Sequence, residues 1–458
     1  MNPEEQPGHP NTRYNPHMIA PTDGMELSGQ ITLAPGVYHL PNGLRIAQSD
    51  TAINGNGSIL ICPEQTGTGL SIESADNVSI RSLTILGYRH GVRSTRCKNL
   101  TIEACRITGT AELPPNTDFL DIWLPSEQAY GAGICLTDCS DSAIRDNDLQ
   151  HQMNGLLTYG CQRLKVERNV ANYCSGYGFH LYETSDSEFE GNYADFCCRY
   201  HPRGPRHGHM GADATGFLIV KSSSRNRFYG NFARCGGDGF FMAGLAPDGV
   251  PCDCEANEFI ENDGSFSPNI AFEGTFCTGA LYRDNRADYC NYGFWLGFSR
   301  DCRIEGNQMI GNRQAGIAVE NGVRFQVRNN RIHANGHGLL IWSKRVEAFS
   351  QSAPDNDTSR EWQITDNEIV RNGTGIRIAA EQDHGIRPLI DQPPAPPPSD
   401  HLIMKNGFQD NRISIDLLGA HRTRIEQNAL HGAEVNLRQS DCQETDMKNN
   451  PGAAGGYL

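Results

Sequence analysis

From residue 69 onward the chain repeats one pattern: a glycine, alternating apolar and polar residues, a polar turn, a second apolar run and an asparagine-bearing turn. The units open GLSIE at 69, GVRST at 91, GICLT at 133, GLLTY at 155, GFHLY at 178 and GFLIVK at 216. They continue GFFMA at 239, NIAFE at 269, GFWLG at 293, GIAVE at 316, GLLIW at 338 and GIRIA at 375. Many start-to-start spacings are 22 or 23 residues, lengthening to 42, 38, 30 and 37 where loops intervene. Eleven residues after most of the glycines comes a further apolar position: Ile80, Ile102, Ile144, Val166, Phe189, Ile304 or Val327. Alternation with period two specifies strands, not helices.

Short strands at a fixed period, with no room for a helix, predict an all-β, single-stranded right-handed parallel β-helix of about 12–14 coils. A leucine-rich repeat would need its Leu-and-Asn consensus, and a propeller blade about 40 residues. Residues 1–68 read as an N-terminal segment with the first irregular coils, 69–440 as the β-helix and 441–458 as a tail. The Pro-rich stretch 384–401 reads as an inserted loop, because RISIDLLG restores the pattern beyond it.

Asparagines recur in the second turn at Asn169, Asn192, Asn231, Asn307, Asn330, Asn367, Asn411 and Asn428. Stacked one per coil, they would hydrogen-bond each other and the turn backbone. Cys97, Cys139 and Cys161 each follow their glycine by six residues, so they should stack as reduced thiols, compact apolar fillers of a turn. The sixteen cysteines, spread along a long chain, argue for this over a disulfide framework. CDC at 252–254 is too close for ordinary zinc ligation. A divalent metal at HGH (207–209) would need a third ligand, and no cofactor is required by the reading below.

The net charge of −15 speaks against nucleic acid or an anionic membrane as general partner. No run approaches 18 apolar residues, so no membrane insertion is expected. The polar N-terminus lacks the apolar stretch of a signal peptide, which predicts a cytoplasmic chain.

Strand geometry turns offsets into directions. With the glycine as zero, offsets one and three point inward, two and four outward. The outward fourth column reads Glu73, Thr95, Thr137, Tyr159, Tyr182, Lys221, Ala243, Glu273, Gly297, Glu320, Trp342 and Ala379; Lys221 joins only if Phe217 counts as zero. The second column contributes His180, Phe241, Trp295 and Arg377. Acids, aromatics and small residues in line suggest a groove for an oligo- or polysaccharide, with Glu273 and Glu320 two rungs apart as a carboxylate pair. Asp213 and Asp238 precede their strands at the rim, although Asp before Gly is also ordinary turn chemistry. Insertions at 110–130, 200–214 and 244–256 lie beside the same strands.

At GADATGFLIVKSSSRN, GGDGFF, NIAFEGTF, YGFWLGFS and GIAVENG the chain resembles right-handed parallel β-helix proteins of the pectate lyase-like and NosD-like group. The resemblance implies the fold and a carbohydrate ligand. It does not select a reaction, since the DPH motif of alginate epimerases and the Arg/Asp pattern of pectate lyases are absent. The leading expectation is a glycoside hydrolase with Glu273, Glu320, Asp238 and Asp213 as catalytic candidates. A polysaccharide lyase or uronate epimerase would draw on Lys221, Arg206, His207, His209 and His180. A third reading is a non-catalytic carbohydrate-binding protein. Tyr182, Phe241, Trp295 and Trp342 would line the sugar in any of them, and a homo-oligomer is compatible with all three.

Overall fold

In a computed structural model, which describes residues 18–114, 120–202, 208–210, 214–380 and 394–452, the chain winds into parallel coils. A sixteen-stranded parallel sheet runs from Glu26–Leu27 to Val435–Ser440 and carries the long rungs. A seventeen-stranded sheet of short strands, from Met18–Ile19 to Asp446–Lys448, forms the second face. The third face has four strands at one end and five at the other, joined by single bridges through Asp148, Val170, Tyr193, Phe232, Asp263 and Arg286. The long sheet exceeds the expected coil number because rungs already form before residue 69, at Glu26–Leu27 and Leu44–Ile46. In the least regular of the sequences, rung geometry still holds.

Inward residues make the core. Phe179, Phe217, Phe240, Phe272 and Phe294 stack one per rung at 4.7, 4.8, 4.9 and 5.0 Å between ring centroids. Phe228, Phe259 and Tyr282 from the short-strand sheet form a second stack at 4.8 and 5.0 Å and meet the first edge-on. The offset and edge-to-face arrangements are those aromatic quadrupoles favour. The rung glycine is dictated by close approach: a Cβ on Gly239 would lie 2.6 Å from the carbonyl oxygen of Ala271. In the next rung Ala271 fills that place, so NIAFE starts two residues before its true zero.

The asparagine ladder runs from Asn147 through Asn169, Asn192, Asn231, Asn262, Asn285, Asn307, Asn330, Asn367, Asn406 and Asn428 to Asn450. Each side-chain amide donates to the next Oδ1 and to a backbone carbonyl. Asn411 belongs instead to a parallel ladder with Asn312, Asn335 and Asn372. The expected list merged two turns that differ by five residues.

All sixteen thiols are free. Cys97, Cys139 and Cys161 interact along one column, Cys174 and Cys197 along another, and Cys254 and Cys277 along a third. Burial pushes Cys135 and Cys105 up to about 11 and Cys302 to about 12, so these thiols stay protonated and inert.

Asn262→Ala should lower stability by about 3–5 kcal/mol, since it strips partners from the Asn231 amide groups and the Phe228 carbonyl; chemical denaturation measures this. Thiol titration of the native protein should reach only Cys198, Cys235 and Cys442, the three that are not buried, with all sixteen appearing on unfolding.

Candidate functional site

The outward face of the long sheet carries three columns. In the one two residues past the glycine, the register runs His180, Leu218, Phe241, Glu273, Trp295, Ala318, Leu340, Arg377. Glu273 therefore sits between two aromatic neighbours, Phe241 and Trp295, and not in the fourth-offset column, where Thr275 takes its place. Lys221 is likewise out of that column. Val220 pairs with Tyr182 and Ala243, and Lys221 begins the turn at φ 52°. The extra residue is absorbed by the turn, not by the strand.

Glu320 does hold its expected register, paired with Trp342 and next to Gly297, but both side chains are 1% exposed, so Trp342 does not line an open groove as expected; it packs with Ala315, Ala318, Leu340 and Ala379. Both glutamates face outward, two rungs and two residues apart, which sets their Cα atoms about 12 Å from each other. A Cβ on Gly297 would come no closer than 3.6 Å to Trp295 and 3.9 Å to Glu320. The glycine therefore leaves room for no more than a methyl group between the two acids. Trp295 meets Tyr292 edge-on at 4.8 Å and Trp342 at 5.4 Å, forming an aromatic wall.

The third outward column, one residue before the glycine, escaped the offset reading. It aligns Thr215, Asp238, Ile270 and Tyr292. Asp238 is buried at the head of its strand, where its Oδ1 accepts the amide of Ile270 at 2.9 Å. The Thr215 hydroxyl donates to the Asp238 carbonyl at 3.0 Å. From this position Asp238 reaches Glu273 diagonally, across one rung. Burial, the Asp238 charge and a hydrogen bond shared with Asp238 hold the Glu273 carboxyl well above the usual carboxylate range. Two carboxyls in contact cannot both ionise cheaply, so the pair keeps a proton. The charge at the lip of the GGDGFF strand thus has a carboxyl partner on the next rung.

His180 and Tyr182 lie elsewhere. His180 is buried between Tyr177, at 5.2 Å, and Tyr159, at 5.3 Å, and burial lowers it to about 3. The insertion at 110–130 lays Leu120 and Ala129 on this part of the sheet, with Ile122, Trp123 and Tyr130 packed against them, and Tyr182 and Phe241 border the cluster. This apolar cover removes His180 and Tyr182 from the open face, and it occupies Ala243 as well. Asp213, Arg206 and His207 lie outside the described residues. His209 pairs with His201 in an antiparallel hairpin of Tyr200–Pro202 with Gly208–Met210. On the opposite border, Ser352 of the helix Glu347–Ser352 donates to the Gly249 carbonyl at 2.8 Å, tying two insertions together. Arg377 is ion-paired to Asp416, which also holds Arg438 at 2.6 Å.

The right-handed β-helix region model matches residues 42–233, and a model described as periplasmic copper-binding protein (NosD) matches residues 247–450. Among the described residues no three His, Cys, Asp or Glu side chains gather as metal ligands. The periplasmic model overturns the cytoplasmic expectation and points outside the cytoplasm; a polar beginning of the given sequence was a poor guide to compartment. Among the described residues no helix is long and apolar enough to cross a membrane. A comparison with curated proteins finds no match. Among solved structures, a mutant of the periplasmic alginate epimerase AlgG is 11% identical with a TM-score of 0.42, covering 90% of this chain and 79% of its own. A rhamnogalacturonan lyase is 13% identical with a TM-score of 0.39, covering 63% and 75%. The GH136 lacto-N-biosidase from Eubacterium ramulus is 11% identical with a TM-score of 0.38, covering 94% and 61%. With its in-register rungs and two family models laid end to end along it, the chain belongs to the right-handed parallel β-helix superfamily.

Proposed function

We propose that the protein is a carbohydrate-active enzyme that cleaves a glycosidic bond by acid/base catalysis on the outward face of the long sheet. The observation that carries this is the Glu273–Asp238 carboxyl pair flanked by Phe241 and Trp295, in which burial and the Asp238 charge push the Glu273 carboxyl up. A carboxyl held above its ordinary range keeps its proton longer as pH rises and is suited to be the proton donor that a leaving glycosidic oxygen needs first. Glu320, beyond Gly297 and 1% exposed, is taken as the second carboxylate of the scheme, the one that activates water. Trp295 and Tyr292, both partly exposed, supply apolar surface for the ring, with the buried Trp342 packed behind them.

Asp238 has a positioning role in this scheme. Its contact with Glu273 is too close for a carboxylate pair that must flank a glycosidic bond, which needs at least about 5 Å. Elimination or epimerisation of a uronate would instead require a neutral base beside a cation. Of the groups expected to serve it, His180 is buried and Lys221 has left the face, while Arg206 and His207 lie outside the described residues. The placements of His180 and Lys221 support hydrolysis.

Glu273→Gln and Glu320→Gln should each lower kcat by about 100-fold or more while largely retaining KM. A screen of neutral and uronic glycans, read by reducing ends together with the ultraviolet absorbance of unsaturated uronates, checks both the loss and the reaction. Reducing ends without new absorbance are expected; absorbance that tracks turnover would replace hydrolysis with elimination.

The pair also sets a pH dependence of stability. Unfolded, Glu273 titrates near the ordinary glutamate value of 4.5; folded, it holds its proton to higher pH. The folded state binds more protons in that window, so stability falls as pH rises through it. Glu273→Gln keeps a donor for Asp238 and removes the buried charge. Its stability should match the parent near pH 4 and exceed it by about 1–3 kcal/mol near pH 8, measured by denaturation at both pH values.

A further inference from the structure

On the turn that leads into the long strands, the protein exposes a ladder of rings. His151, Tyr173, Phe196, Cys235, Phe266 and Tyr289 occupy one position on six successive coils. The amide of each of the first five donates to the residue preceding the next, and all six hold φ between 55° and 64°. His151 and Tyr173 stack at 4.9 Å and 2°, Tyr173 and Phe196 at 4.9 Å and 2°, and Phe266 and Tyr289 at 5.6 Å and 10°. Phe196 and Phe266 are 41% and 47% exposed, unusual for phenylalanine in a face with no apolar cover.

One rung of the ladder has no ring. Cys235 stands between Phe196 and Phe266, whose positions are two rungs, about 9.6 Å, apart. Each phenylalanine continues a stack of parallel rings, so each turns a face along the coil axis toward this gap. A ring placed midway would be about 4.8 Å from both, within the range of aromatic stacking.

The floor of the gap is fixed. Ser267 donates to the Gly237 carbonyl at 2.6 Å, the Gly237 amide donates to the Cys197 carbonyl at 3.0 Å, and a Cβ on Gly236 would lie 2.7 Å from that carbonyl oxygen. One side is polar: Arg234 lies over the Phe232 ring at 4.9 Å and is bound to Asp195 at 2.7 Å. Apolar plates above and below with hydrogen-bonding groups at the side match a pyranose, whose C–H faces are apolar and whose hydroxyls point outward. A bare arene would leave the Arg234–Asp195 edge unused. The gap lies near the proposed catalytic pair, because Cys235 precedes Asp238 by three residues, at most about 11 Å of chain.

We propose that the Phe196–Cys235–Phe266 gap is a glycan subsite that sandwiches one pyranose ring beside the Asp238–Glu273 pair. The subsite does not depend on which reaction Glu273 performs. The test uses the full chain carrying Glu273→Gln, so that ligand is not consumed, in affinity gels cast with xylan, mannan, polygalacturonate or alginate. Retardation by at least one polysaccharide is expected. Cys235→Phe, which completes the ladder and fills the gap, should weaken it about tenfold, and Phe266→Ala should do the same, while His151→Ala at the far end of the ladder leaves it unchanged. Thermal melts confirm that each variant folds, and the two gap variants act by opposite changes in volume. No retardation in any gel, or retardation indifferent to both gap variants, overturns the subsite. With Glu273 restored, turnover that ignores the gap variants alongside gap-independent binding sinks the subsite alone; gap-dependent binding without turnover sinks the hydrolytic reading alone.

Discussion

The register between coils is what the rest of this molecule depends on, and buried asparagines enforce it. Each turn brings backbone amides and carbonyls against the coil before it, away from water, where an unpaired group costs about 1–3 kcal/mol. In the main ladder one Oδ1 accepts both a backbone amide and a side-chain amide from the preceding coil, while the same asparagine's Nδ2 caps a carbonyl. A coil slipped by one residue would break these bonds and turn each inward phenylalanine outward. Polar satisfaction and core packing therefore select the same alignment.

That alignment turns sequence offsets into places. Glu273 acquires its chemistry from neighbours far away along the chain: Phe241 and Trp295 on either side and Asp238 on the diagonal. None of these lies within twenty residues of it. The edge-on contacts of Trp295 with Tyr292 and Trp342, and a second, buried acid at Glu320, follow from the same stacking.

The fold was legible in the sequence because its repeat is short and its alternation strict. Phe240, Phe272 and Phe294 announce themselves as inward positions from spacing alone. The site was only half legible. Glu320 and Trp342 sit where the offsets place them, but Glu273 and Lys221 do not. In one rung an alanine replaces the marking glycine, and in another the turn absorbs an extra residue. Of the column preceding the glycine only Asp238 stood out, matched there with Asp213, whereas its neighbours in register are Thr215 and Ile270, with Tyr292 beyond. A rule that counts only forward from glycine cannot see a residue behind it. The cover over His180 and Tyr182 was equally hidden, since FLDIWLP shows that the insertion is apolar but not which rungs it lies on.

The insertions have one more implication. They enter at turns, between rungs whose pairing resumes undisturbed: Arg93 pairs with Cys135 across one, and His180 with Leu218 across another. Such a scaffold can exchange its surface furniture piecemeal. A lengthened or recast loop could alter which polymer is admitted, while the acids beneath remain aligned by bonds that the loop never touches.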